Sequence, residues 1–351
     1  MSNAPRKSGV LRADTITLAH GSGGKAMRDL IDDVFVNGFD NDQLRQLEDQ
    51  ARFSLQALSA EGDRLALTTD SYVVDPLFFP GGDIGKLAVT GTVNDLAVSG
   101  ARPLYLTCGM IIEEGLRVDE LRKIVSSMKV TADMAGVKIV TGDTKVVHRG
   151  AADKLFINTA GVGVIPAGVE INARRAQAGD VIITNGYLGD HGAAIVDARG
   201  ELAIENTIES DCRPLNRLVE KMLAVCPDIH CMRDATRGGL ATVLNEFAEG
   251  SQCGIRIAEQ ALPVRPEVRG MCEILGLDPL YLANEGKLVA IVPQESAETL
   301  LAAMQSDPAG AGSCVIGRVT EAPRSRVILE TTFGGERIVD MLVGEQLPRI
   351  C

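Results

Sequence analysis

Short apolar runs that read as strands take turns with longer stretches that read as helices along most of this chain, and that alternation limits the folds open to it. The strand-like runs are Leu65–Thr69, Leu104–Met110, Val137–Thr141, Leu155–Val164, Val181–Thr184, Leu288–Val292 and Val315–Val319. Between them lie helical stretches at Ile84–Ser99, Val118–Ala135, Leu215–Val225, Gly239–Ala248, Glu267–Leu275 and Ala297–Met304. With no Trp and only eight Phe and four Tyr against 37 Gly, the core must be built from Ala, Val, Leu and Ile around many tight turns, which suits an α/β or α+β enzyme. At 351 residues the chain has room for two domains and needs no disulfide or structural metal to bury a core. The pattern breaks at residues 165–179, IPAGVEINARRAQAG, where Pro, Gly and charge separate two strand signals. The expected divisions are an N-terminal arm over 1–39, a first domain over 40–165, a second over 170–340 and a flexible tail over 341–351.

Lys plus Arg is 35 against 47 Asp plus Glu, a net charge of −12, which argues against nucleic acid or an anionic membrane as the main partner. No apolar run reaches the length of a membrane span and the start has no signal-peptide core, so a cytoplasmic location is expected. The eight cysteines are scattered without a CxxC pair and read as reduced thiols. Cys226, His230 and Cys231 crowd together but lack the paired spacing of a zinc site.

The informative feature is a set of acids beside Thr- or Gly-containing corners: Thr68-Thr69-Asp70-Ser71, Gly91-Thr92-Val93-Asn94-Asp95, Thr141-Gly142-Asp143-Thr144-Lys145 and Arg233-Asp234-Ala235-Thr236-Arg237-Gly238-Gly239. Mg²⁺ takes hard oxygen ligands, usually a few carboxylates plus substrate phosphate oxygens, so Asp70, Asp95, Asp143 and Asp234 together suit a Mg-nucleotide site. Singly each is equally a turn former or helix cap, as Asp83 is expected to be. Near the start, His20-Gly21-Ser22-Gly23-Gly24-Lys25 exposes backbone N–H groups beside a cation, the makings of a phosphate cradle. It is no Walker A loop, since Ala19 and Ala26 stand where that motif has Gly and Ser or Thr, and a flexible leader is the alternative. Lys145 can reach a phosphate or a developing anion, and Glu285 in Asn284-Glu285-Gly286-Lys287 stands at the mouth of an apolar run; each is otherwise a surface charge. The chain ends Pro348-Arg349-Ile350-Cys351, with Pro where a prenylation box needs its Cys. A thiol on about twelve residues of extended chain reaches roughly 40 Å, enough for a swinging carrier, or it is a chance terminal residue.

Taken together, the Pro-Arg-Ile-Cys ending, His-Gly-Ser-Gly-Gly-Lys, Thr-Thr-Asp-Ser, Gly-Thr-Val-Asn-Asp-Leu-Ala, Thr-Gly-Asp-Thr-Lys-Val-Val and Arg-Asp-Ala-Thr-Arg-Gly-Gly resemble the HypE family of hydrogenase maturation factors over residues 18–351. Several of these motifs are shared by aminoimidazole ribonucleotide synthetase, selenophosphate synthetase and thiamine-monophosphate kinase; the tail is what singles out HypE, and the residues before Thr17 are expected to be a leader of no functional weight. The resemblance implies an α/β domain followed by an α+β domain, a homodimer formed through first-domain strands, and ATP with Mg²⁺ bound near that interface. It also implies a carbamoyl group loaded by HypF onto Cys351, dehydrated to a thiocyanate, and passed as cyanide to iron on a HypC–HypD complex. Under it, His20, Gly21, Gly23, Gly24, Lys25, Asn94 and Thr144 join the four aspartates at ATP and metal, Lys145 stabilises charge, and Glu285 takes the amide proton. A superfamily enzyme acting on a free small molecule and a non-catalytic thiol scaffold remain as alternatives.

Overall fold

The computed structural model describes residues 10–200, 207–344 and 347–351. The first unit is a four-stranded sheet of β1 (Arg64–Tyr72), β2 (Arg102–Glu113), β3 (Lys138–Val147) and β4 (Leu155–Ile165), in the order β1-β4-β2-β3. β4 runs antiparallel to β1 and β2, and β2 parallel to β3. Helices α1 (Ile84–Val98) and α2 (Val118–Ala135) cover one face of it.

α1 has no polar stripe, and the fold shows why: nearly all of it is buried, packed between the sheet and the second unit. Asp83 caps it as expected, its Oδ1 accepting from the N–H groups of Gly85 (2.7 Å) and Lys86 (3.2 Å). Gly91 lets it approach β1, since a Cβ there would meet the Tyr72 hydroxyl at 2.3 Å. α2 buries Val118, Leu121, Ile124, Val125 and Met128 along one face and stops at Gly136, whose φ is 74°. On the opposite face, where Phe53 stacks on Tyr105, Leu67 is 74% and Leu65 54% exposed, joined by Ile111.

The second unit is a seven-stranded sheet of β5 (Val181–Thr184), β6 (Cys231–Asp234), β7 (Gly254–Ala258), β8 (Leu288–Val292), β9 (Cys314–Thr320), β10 (Arg326–Glu330) and β11 (Glu336–Ile338), ordered β11-β10-β7-β9-β5-β8-β6. Every pair is antiparallel except β7 with β10. β8 is buried along its whole length, as its unbroken apolar run requires. Helices α3 (Asp190–Ala198), α4 (Asn216–Val225) and α5 (Gly239–Ser251) are among those that pack around this sheet and its junction with α1.

Two expectations are corrected at the chain ends. From Leu11 onward the arm is part of the first core: Ile16 and Leu30 are fully buried, and Leu11 N–H donates to Asp33 at 2.7 Å. The earlier part of the leader, residues 1–9, lies outside the described residues. The tail, expected to be flexible, is docked at its end, because its backbone finds partners there. Val73 N–H donates to the Cys351 carbonyl (3.1 Å), Asp75 N–H to that of Arg349 (3.3 Å), and Ile350 is 5% exposed in the first core.

Candidate active site

Three of the acids expected at turns lie inside regular structure. β1 runs through Asp70 to Tyr72 and β3 through Asp143 to Val147, while Asp95 belongs to α1; only Asp234 closes a strand. The strand faces then separate them. Asp70 pairs with the buried Thr159 and points with Thr68 and Tyr72 toward α1. Thr68 Oγ1 donates to Asp95 Oδ2 at 2.7 Å, tying β1 to α1. β6 brings Asp234, and the loop leading into β8 brings Glu285, to the same junction.

The electrostatics report how close these four are. Desolvation raises Asp95 above the ordinary carboxylate range, and the Asp70 charge adds to it. Asp234 is pushed up to about 7 by desolvation, then by Asp95 and Asp70. Glu285, 3% exposed, is raised well above the ordinary carboxylate range by burial and by the fields of Asp211, Asp234, Asp70 and Asp95, and its Oε1 has no partner among the described residues. Four mutually repelling acids, one with an orphaned buried oxygen, form a site built for a cation or a proton donor.

Glu285 is held there by groups whose own role is structural. Asp211 Oδ1 and Oδ2 accept from the N–H groups of Glu285 and Gly286, both at 3.0 Å, and Oδ2 pairs with the buried Lys287 at 3.0 Å. Burial would raise Asp211, but Lys287 and the Glu285 N–H outweigh it and hold the carboxyl below its usual range. Asn94, expected at the nucleotide, instead donates to the carbonyls of Arg213 and Glu285 (both 3.2 Å) and accepts from Leu215 N–H (2.8 Å). Asn284 donates to the Ala235 carbonyl at 2.8 Å and accepts from Gly189 N–H at 2.7 Å. Neither Asp211 nor His191, described below, was singled out from sequence; the Gly189-Asp190-His191-Gly192 corner after an apolar run was the available signal for the histidine.

Asp143 and Lys145 are elsewhere, on the open face of the first sheet. They form an ion pair of 2.6 Å that lowers Asp143, its hydrogen bond to Lys145 being the main cause. Thr144 is buried on the other side of the strand. Asp143 lines a cavity with Gly23 and Gly24, where open space stands above both glycines. Gly21 has a packing reason instead, since a Cβ would meet Val146 N at 2.8 Å. His20 turns inward, Nδ1 accepting from Thr17 N–H at 2.9 Å, and Lys25 pairs with Asp29 at 2.6 Å. Among the described residues no three His, Cys, Asp or Glu side chains close on one point as a ready metal cage, so oxygens from a ligand must complete any shell.

The tail ends in a cavity lined by both units. Cys351 is half-buried in a cavity of about 290 Å³ lined by Val73, next to Tyr72, by Arg237 and Gly238 after Asp234, and by Ala283, two residues before Glu285. Asp70, Asp234 and Glu285 each lie two or three residues along the chain from a residue of that cavity, and none of the four acids lines it.

Residues 48–165 match the AIR synthase related protein N-terminal domain and 177–330 its C-terminal domain. Carbamoyl dehydratase HypE of Rhodobacter capsulatus is 60% identical over 97% of this chain and 100% of its own length; that of Escherichia coli K12 is 54% identical over 96% and 100%. This chain belongs to the HypE family. A crystal structure of HypE in complex with ATP superposes with a TM-score of 0.90 at 52% identity, covering 95% of this chain and 99% of the other. A HypE–HypF complex gives 0.77 at 48%, covering 89% and 99%. Thiamine monophosphate kinase of Aquifex aeolicus, at 19% identity and 0.58, shares the fold. The two-unit fold is shared with these HypE structures.

Proposed function

We propose that this protein is an ATP-dependent carbamoyl dehydratase whose substrate is carried on its own C-terminal thiol. The observation that carries the reading is the docked tail, which seats Cys351 in a cavity whose Val73, Arg237 and Ala283 lie close along the chain to Asp70, Asp234 and Glu285. HypF, the partner in the complex of a close relative, would load the carbamoyl group onto Cys351. An amide oxygen leaves badly until it carries phosphate. ATP would phosphorylate it, and loss of phosphate with the nitrogen protons would turn S–C(=O)NH₂ into S–C≡N, with ADP and phosphate as co-products.

Glu285 suits the proton step because its environment gives the carboxyl a high proton affinity, which makes its ionised form a strong base. Asp70, Asp95 and Asp234 fit Mg²⁺: hard oxygens, mutually destabilised, and short of a full shell without phosphate. Bound there, the ion would offset phosphate charge. Gly23, Gly24, Asp143 and Lys145 form a second polar region, suited to ATP phosphates through backbone N–H groups and a cation. The open sheet face with Leu65, Leu67 and Ile111, which also carries that ion pair, supports a homodimer. Transfer of the cyanide to a HypC–HypD complex and a cytoplasmic location complete the reading; no described helix is long and apolar enough to cross a membrane.

Incubation with HypF, carbamoyl phosphate and ATP, followed by the mass of the C-terminal peptide, tests this. Thiocyanate on Cys351 is expected. ATP turnover with an unmodified Cys351 would point to a free small-molecule substrate.

A further inference from the structure

His191 stands at the start of α3, fully buried, with both ring nitrogens engaged. Nε2 lies 2.7 Å from the Ile350 carbonyl and Nδ1 2.8 Å from Ser210 Oγ. A carbonyl only accepts, so Nε2 carries the hydrogen and Nδ1 presents its lone pair. Ser210 can satisfy it, because its oxygen accepts from Cys212 N–H at 3.1 Å and its hydroxyl hydrogen is left for the ring. The Phe79 ring meets the imidazole edge-on at 5.6 Å between centroids, which closes a third side. Burial pushes the imidazole toward its neutral form, in keeping with a single N–H.

The carbonyl chosen is the informative point. Pro348 and Arg349 form a turn, Arg349 with φ 50°, and beyond it the last carbonyls find partners on two sides. The carbonyls of Arg349 and Cys351 accept from Asp75 and Val73 on the segment leaving β1, and that of Ile350 accepts from His191 on α3. The tail is thus gripped from both. Arg199, just past the end of α3, donates to the Pro348 (2.5 Å) and Arg349 (3.0 Å) carbonyls, but a long forked side chain can follow a shifted tail. A packed imidazole cannot. Loss of the His191 bond would free the Ile350 carbonyl and loosen the seat of the thiol in its cavity.

We infer that His191 is the positioning residue of the carrier tail: its Nε2–H, oriented by Ser210, holds the Ile350 carbonyl and so seats Cys351 in its cavity. This rests on the carrier reading of Cys351, yet the docking it describes is measurable without any turnover.

The test is alkylation of the intact chain with N-ethylmaleimide, followed at Cys351 by the mass of the C-terminal peptide, without ATP or HypF. His191→Phe keeps an aromatic ring and removes the donor, and should speed labelling about five- to tenfold, the scale of one buried hydrogen bond. His191→Gln places an amide N–H near the position of Nε2 and should bring labelling back toward the parent rate. If His191→Phe does not fold, Ser210→Ala, which removes the hydroxyl that fixes the tautomer, should speed labelling in its place. Labelling at the parent rate in the folded Phe or Ala variant would overturn the inference. So would equal acceleration by Gln and Phe, which would make the residue a packing element. A parent protein that docks its tail in this assay but forms no thiocyanate would sink the dehydratase reading and leave the positioning device standing.

Discussion

Asp95 and Asp143 look interchangeable in the sequence, each next to Thr and Gly residues, and the fold gives them opposite surroundings. Asp95 is turned into the junction between α1, β1 and the second unit, where burial and Asp70 hold its carboxyl above the usual range. Asp143 lies on an open sheet face against Lys145, which holds it below. The interior set is an uncompensated group of acids, with Asp234 at about 7 and an orphaned oxygen on Glu285. The outer set is already neutralised within itself. Carboxylates that repel one another gain most from a cation or a proton, so the interior junction is where binding energy can be turned into chemistry. The outer pair is suited to steering and holding phosphate.

The widest effect should come from the group both regions serve. Cys351→Ala removes the attachment atom while leaving the folded units intact, so thiocyanate formation should vanish with ATP affinity kept. Normal thiocyanate yield would end the carrier account. A smaller effect divides the two regions: Asp95→Asn should weaken the Mg²⁺-dependent part of ATP affinity by at least about tenfold, and Asp143→Asn should change it much less. Titration calorimetry with and without Mg²⁺ reads this, and equal losses in both variants would erase the distinction.

The smallest effect is on stability without ligands. The unfolded chain releases the Asp234 proton near 3.8 and the folded protein near 7, so over that window the folded state holds the extra proton and stability falls as pH rises. The decline should be at most about 4 kcal/mol over the whole window. Asp33, Asp143 and Asp211 are shifted the other way, and their contribution belongs to lower pH, below the ordinary carboxylate value. Melting curves across pH 4–7 should show the decline in the parent and a flatter profile in Asp234→Asn; a parent that grows steadily more stable with pH would contradict the coupled-acid picture.

Much of this fold is written in local pattern. The runs at Val181–Thr184, Leu288–Val292 and Val118–Ala135 appear with the bounds the alternation gives them, because each is apolar in the period of its element. α3 escaped because it is short and set among glycines, and β7 because Arg256 interrupts Ile255 and Ile257. At the site, the acid residues were legible as chemistry but their partition was not. Which face Asp143 takes depends on pairing with β2, where the register shifts so that Val140 is an extra residue. Asn94 gave no warning that its amide would join two units through backbone carbonyls 119 and 191 residues away. Such bonds depend on long-range packing, which no local window contains.

The central claim is that dehydration is performed at the interior junction, with Glu285 taking the proton from a carbamoyl group on Cys351. The direct measurement is a single-turnover comparison of the parent with Glu285→Gln, preloaded by HypF and started with ATP, following the mass of the C-terminal peptide. Gln keeps the shape and hydrogen-bonding reach without an effective base. The parent peptide should lose the mass of water, and the Gln variant should keep the carbamoyl group, its conversion slowed about 10²–10⁴-fold. Conversion of the Gln variant at the parent rate would contradict the account and place the proton transfer on another group.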